Sequence, residues 1–82
     1  MKIRIDVTDE DIRLGKRFSE TSCPIARASR RAGIKDPLVV RGLYSDGKKY
    51  CLPLTAQDFI HDFDHGNPVD PFSFEIELVR TT

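Results

Sequence analysis

The sequence predicts an α+β domain, a small four-stranded sheet with about three helices. Three observations lead to it. Apolar and polar residues alternate near both ends of the chain, an apolar stripe recurs at helical spacing through residues 56–63, and residues 24–33 open on Pro and close on Gly.

In chain order, Lys2 to Val7 reads as a strand with Ile3, Ile5 and Val7 on one face and Lys2, Arg4 and Asp6 on the other. Thr8 then caps a short helix whose first turn, Asp9, Glu10 and Asp11, complements the positive end of the helix dipole. Val7 and Ile12 stand at hydrophobic-staple positions, and Gly15 is where this helix should stop. Lys16 to Ser22 is a polar connection with one apolar anchor, Phe18.

Pro24 disfavours helical backbone at Cys23 and suits the first helical position, while Gly33 supplies a left-handed terminus. The second helix is therefore expected over Pro24 to Ala32. At 100° per residue Ile25, Ala28, Ser29 and Ala32 share one small-residue face, and Arg27, Arg30 and Arg31 lie opposite it.

Leu38 to Leu43 and Lys48 to Leu52 are β-prone runs around residues 44–47, which together read as a hairpin. Thr55 opens the third helix with Asp58 at the reciprocal capping-box position, and Gly66, Asn67 and Pro68 close it. Its stripe of Ala56, Phe59, Ile60 and Phe63 must cover the sheet. Phe72 to Val79 alternates, with Phe72, Phe74, Ile76 and Leu78 inward and Ser73, Glu75 and Glu77 outward. Glu75 and Glu77 complement Lys2 and Arg4, so the first strand pairs with the last.

This order fits a split βαβ, or ferredoxin-like, arrangement with an extra helix in the first crossover. A single domain spans residues 1–82. With 39% hydrophobic and 32% charged residues the composition is that of a folded chain rather than a disordered one. No apolar run approaches the roughly 20 residues of a membrane span, and MKIRIDV lacks a signal-peptide core. The expected location is the cytoplasm, with no membrane partner.

Net charge is zero but segregated. Residues 11–35 carry seven basic and two acidic side chains, whereas residues 36–82 carry four basic and eight acidic ones. Such a bipolar molecule can dock a charged partner locally, or a second copy of itself.

The chemistry-bearing residues are few. Cys23, at a helix N-cap, has a position that favours thiolate, but no base is placed beside it, so capping or burial outweighs a nucleophilic role. His61, His65, Asp58 and Asp62 share part of one helix surface, yet a HxxxH spacing without further acid or cysteine partners is weak, and no metal is expected. No Gly-rich phosphate loop or serine elbow is present, and Lys48 to Cys51 lack the aromatics of RNA-recognition strands. The remaining candidates are the basic side chains Lys16, Arg17, Arg27, Arg30, Arg31 and Lys35, suited to carboxylates or phosphates. Asp64 to Phe72, with two prolines, reads as a rigid connector and a secondary contact surface.

The run TDEDIRLGKRFSETSCPIARASRRAG, with its Cys23-Pro24 helix start, and the closing segment Phe63, Asp64, Gly66, Pro68, Val69, Pro71, Phe72 and Phe74 resemble a group of small uncharacterised bacteriophage and prophage proteins. The resemblance implies a phage context and an intracellular site of action, and nothing catalytic. Together these readings predict a non-enzymatic, cofactor-free binding module with a host or phage protein as partner, inhibition of a host defence protein being its specific form. The alternative is a nucleic-acid-binding accessory protein that uses the basic helix 24–32.

Overall fold

A computed structural model describes residues 2–79. Its elements are β1 (Lys2–Val7), α1 (Asp9–Leu14), α2 (Pro24–Arg31), β2 (Leu38–Val39), β3 (Leu43–Ser45), β4 (Lys48–Cys51), α3 (Leu54–Asp64) and β5 (Phe72–Leu78). The two alternating segments find each other as their charges predict. β1 lies antiparallel to β5 with Lys2 opposite Glu77 and Arg4 opposite Glu75. That register puts Ile3 against Ile76, Ile5 against Phe74 and Val7 against Phe72 on the covered face. Lys2, Arg4, Asp6, Ser73, Glu75 and Glu77 are exposed on the other, which is the usual division of an antiparallel sheet with one wet face.

Among the described residues the sheet has five strands, not four, in the order β1-β5-β4-β3-β2, and every pairing is antiparallel. The extra strand arises because the run 38–43 breaks: the Val40 N–H donates to the Gly42 carbonyl (3.0 Å) and turns the chain back on itself. The hairpin loop shrinks correspondingly to Asp46-Gly47, both left-handed (φ 51° and 73°), the backbone that matches strand twist. As in a split βαβ fold the terminal strands are antiparallel neighbours, but β1 occupies the sheet edge instead of an interior place. The interior place goes to β5, the longest strand, which serves β1 along one side and meets Tyr50 and Cys51 of β4 with Leu78 and Glu77.

α2 buries Ile25, Ala26, Ala28 and Ser29 and ends one residue early, with Ala32 as an exposed C-cap and Gly33 left-handed (φ 99°). α3 starts at Leu54 after an N-cap Pro53 that has no side-chain bond, so the expected Thr55–Asp58 capping box is absent. Pro53 holds an extended backbone, and its carbonyl receives the first helical amides. The stripe is seated as predicted, with Ala56, Phe59 and Phe63 buried and Ile60 packed against them. Phe59 stands 4.8 Å from Phe72, and Phe72 5.2 Å from Phe74, joining helix to sheet through aromatic contact. Leu78, expected inward, is instead exposed, and Val79 falls beyond the end of the strand.

α1 carries the full reciprocal cap, Thr8 with Asp11. It ends at Gly15, but for a reason other than left-handed backbone. A Cβ there would lie 2.6 Å from the Asp11 carbonyl oxygen and 2.7 Å from the Pro24 ring, so glycine is what lets α1 meet the start of α2. Gly15→Ala should destabilise by about 1–3 kcal/mol, as overpacking does. Urea midpoints test this, and an unchanged midpoint would refute so close a contact. Among the described residues no helix is long and apolar enough to cross a membrane.

Candidate macromolecular interface

The three arginines of α2 do not form a free basic face, because α1 packs beside α2 and claims two of them. Arg31 donates from Nη1 and Nη2 to the two carboxylate oxygens of Asp11 (2.9 and 2.6 Å), and Nη2 also reaches the Asp6 carbonyl (2.7 Å). Arg27 lies 3.5 Å from Asp11 and 3.8 Å from Glu10, with its Nε buried and without a hydrogen-bond partner. Arg30 is exposed, but its Nη1 is tied to the Thr21 carbonyl at 2.6 Å. Burial of Asp11 works to raise its carboxyl, yet the Arg31 fork and the Thr8 N–H and hydroxyl outweigh it and hold the group down to about 2. Arg31 is raised in return, chiefly by its hydrogen bonds to Asp11.

The other sequence candidates separate. Lys35 lines a hollow of about 200 Å³ together with Asp46 and Lys48. Lys16 and Arg17 are exposed in the loop before α2, where the Arg17 guanidinium lies over Gly66 just past α3. The six basic residues thus belong to three places rather than one patch.

Cys23 is the N-cap of α2, its Sγ accepting from the Ala26 N–H at 3.4 Å. Burial pushes its thiol up, more than the amide contacts lower it. Cys51, by contrast, is exposed. The expected labelling order near neutral pH is therefore Cys51 first and Cys23 slowly or only on unfolding. Peptide mapping after brief alkylation reads it, and preferential labelling of Cys23 would restore a nucleophile role. His61 and His65 stack at 4.3 Å, and His65 Nδ1 donates to the His61 carbonyl (2.8 Å). Among the described residues no group of three or more His, Cys, Asp or Glu side chains is placed to hold a metal.

The feature that sequence reasoning missed is Phe18. Expected as the one apolar anchor of its loop, it is 72% exposed and left-handed (φ 53°), a backbone that bulky residues rarely adopt. Its N–H donates to Asp64 Oδ1 (2.9 Å) and its ring stands edge-on to His65 at 5.9 Å. The loop is closed behind it by bonds from the Lys16 amide to Ser22 and from the Cys23 amide to Ser19, and it is fastened to β2 by the Val39 amide on the Glu20 carbonyl (2.8 Å). Beside Phe18 lies an open hollow of about 300 Å³ whose apolar walls are Cys23, Val39, Val40 and Ile60, with Glu20, Arg41 and Asp64 as polar neighbours. Exposed aromatic, apolar concavity and surrounding charges are the parts of a recognition surface. Comparison of the chain with known protein families, with curated proteins and with solved structures finds no match to any of them.

Proposed function

We propose that this chain is a non-enzymatic binding module that engages a protein of phage or host through the Phe18 face, acting in the cytoplasm of an infected cell. The observation that carries the reading is Phe18 itself. A left-handed backbone at a non-glycine residue costs on the order of 1–3 kcal/mol, and the phenyl ring gains little burial within the domain. A hydrogen bond from its N–H to Asp64, distant in the chain, nevertheless fixes this backbone, and the ring stands exposed. Resemblance to small phage proteins supports the context, and inhibition of a host defence protein is its specific form. Nucleic-acid binding by helix 24–32 has less support, because Arg27 and Arg31 already face Glu10 and Asp11.

The test is capture from phage-infected bacterial lysate by wild-type and Phe18→Ala protein, with and without nuclease. Phe18→Ala should fold, since exposed substitutions move stability by about 0.5 kcal/mol or less. It should lose a partner that survives nuclease. Full capture by the folded variant would reject this face, and capture that vanishes with nuclease and falls steeply with salt would favour the nucleic-acid reading.

A further inference from the structure

We infer that a second, shallow hollow, between α3 and the connector that leads into β5, receives an arginine side chain from a basic segment of a partner protein. The hollow lies on the far side of α3 from Phe18. Asp58, Phe59 and Asp62 line it, whereas Ile60 and Asp64 line the hollow beside Phe18, and positions two apart point to opposite sides of a helix. Val69, Asp70 and Phe72 line it across from the helix. It is open to solvent and measures about 330 Å³, at the bottom of the roughly 300–1,000 Å³ range of small-molecule clefts, which suits a single long side chain. Its floor is aromatic. Phe59 is buried, Phe72 is half-buried, and their rings stand 4.8 Å apart.

The charge around this floor has one sign. Asp58, Asp62 and Asp70 line the hollow and no Lys, Arg or His does, in contrast to the mixed charges beside Phe18. Asp62 has neighbours of its own, Asn67 Nδ2 at 3.4 Å and His61 Nδ1 at 3.7 Å. Among the described residues neither Asp58 nor Asp70 lies within ion-pair distance of a cation. Nor, among those residues, do three His, Cys, Asp or Glu side chains converge where a metal ion would sit, so these acids border an apolar floor rather than a coordination centre. An aromatic floor inside a carboxylate border matches an apolar stem with a broad cationic head, which is the chemistry of arginine. Its planar guanidinium stacks on ring faces and has five N–H donors to divide between the carboxylates of α3 and of the connector. Lysine supplies the charge as a compact, strongly hydrated point that neither stacks nor forks. Three acids outnumber one guanidinium, so further basic residues beside the arginine are favoured as well.

The experiment is an amide NMR titration of the full chain with three end-blocked heptapeptides. All have lysines at the flanks, and the central residue is arginine, lysine or citrulline, the uncharged analogue of arginine. The arginine peptide should shift the amides of Asp58, Asp62, Val69, Asp70 and Phe72. The citrulline peptide should bind at least about fivefold more weakly and the lysine peptide about threefold, the latter difference being what stacking and forked hydrogen bonds add to charge. Asp58 and Asp70 are exposed, so the Asp58→Asn, Asp70→Asn double variant should keep its fold and lose about as much affinity for the arginine peptide as citrulline does. Absence of shifts at millimolar peptide, shifts centred on Phe18, Val40 and Arg41, a lysine or citrulline peptide that binds as well as the arginine one, or unchanged binding by the double variant would each overturn the inference. So would the same shifts on concentrating the protein alone, which would seat a second copy in the hollow, or on adding calcium chloride alone, which would make it a site for simple cations. The Phe18 reading is judged separately, because Phe18→Ala leaves this hollow as it is.

Discussion

Replacing Asp11 with alanine is expected to lower stability by about 2–4 kcal/mol. The Asp11 carboxylate is fully buried and accepts from the Thr8 amide, the Thr8 hydroxyl and both Arg31 Nη atoms. Truncation removes a helix cap, worth roughly 1 kcal/mol, and breaks a bidentate ion pair. Breaking a fully buried pair costs about 3–5 kcal/mol, but Arg31 is half exposed and can regain water, which places the effect lower. The same carboxylate predicts acid sensitivity. Its folded value of about 2 lies below the ordinary carboxylate range, so the unfolded chain binds more protons as the pH falls. Its contribution, on the order of 2 kcal/mol, is present above roughly pH 5 and is lost progressively as the pH falls towards 2. Urea unfolding of wild type and Asp11→Asn between pH 7 and 3 measures it. Equal acid slopes in the two proteins would show that Asp11 is not held as the structure has it.

This pair also changes what an arginine scan means. From sequence, replacing Arg27, Arg30 and Arg31 together should leave folding intact, since they lie opposite the small-residue face. In the structure Arg31 joins α2 to α1 and to β1, so the triple variant should be destabilised, and lost binding in it would not identify an interface.

Phe63→Ala carries the other large expectation, a loss of about 3–5 kcal/mol. Phe63 is buried in the same core as Phe59, Phe74 and Ile76, and its ring stacks at 6.2 Å on Phe59, which in turn meets Phe72. Domains of this length have a total stability of roughly 4–12 kcal/mol, so the variant should be close to unfolding at room temperature. A urea midpoint equal to wild type would separate α3 from the sheet core.

The pairing of β1 with β5 was legible in the sequence because both segments alternate and their outward charges are complementary. The limits of α2 were legible to within a residue because Pro24 and Gly33 act locally. What escaped depends on distant partners. Arg31 reads as a surface residue until α1 brings Asp11 beside it, twenty positions away. Phe18 reads as an anchor until a carboxylate 46 positions on accepts from its N–H and its ring is found exposed. The break at Val40–Gly42 escaped for a different reason. It lies inside a continuous β-prone run, where periodicity marks no boundary, and only the returning pair of β2 and β3 shows the strand was two.

The edge position of β1 has a consequence for synthesis. β1 is translated well before β5, yet β5 is its one strand neighbour among the described residues, with Lys2 opposite Glu77. Until β5 has been translated, Ile3, Ile5 and Val7 have α2 to lean on but no ladder to join. The nascent chain must therefore hold both margins of β1 open for that interval, when its backbone groups are free to pair with a neighbouring chain. Arg31 on the Asp6 carbonyl is a contact that needs nothing translated after Arg31, so it can occupy part of one margin while β5 is still unmade.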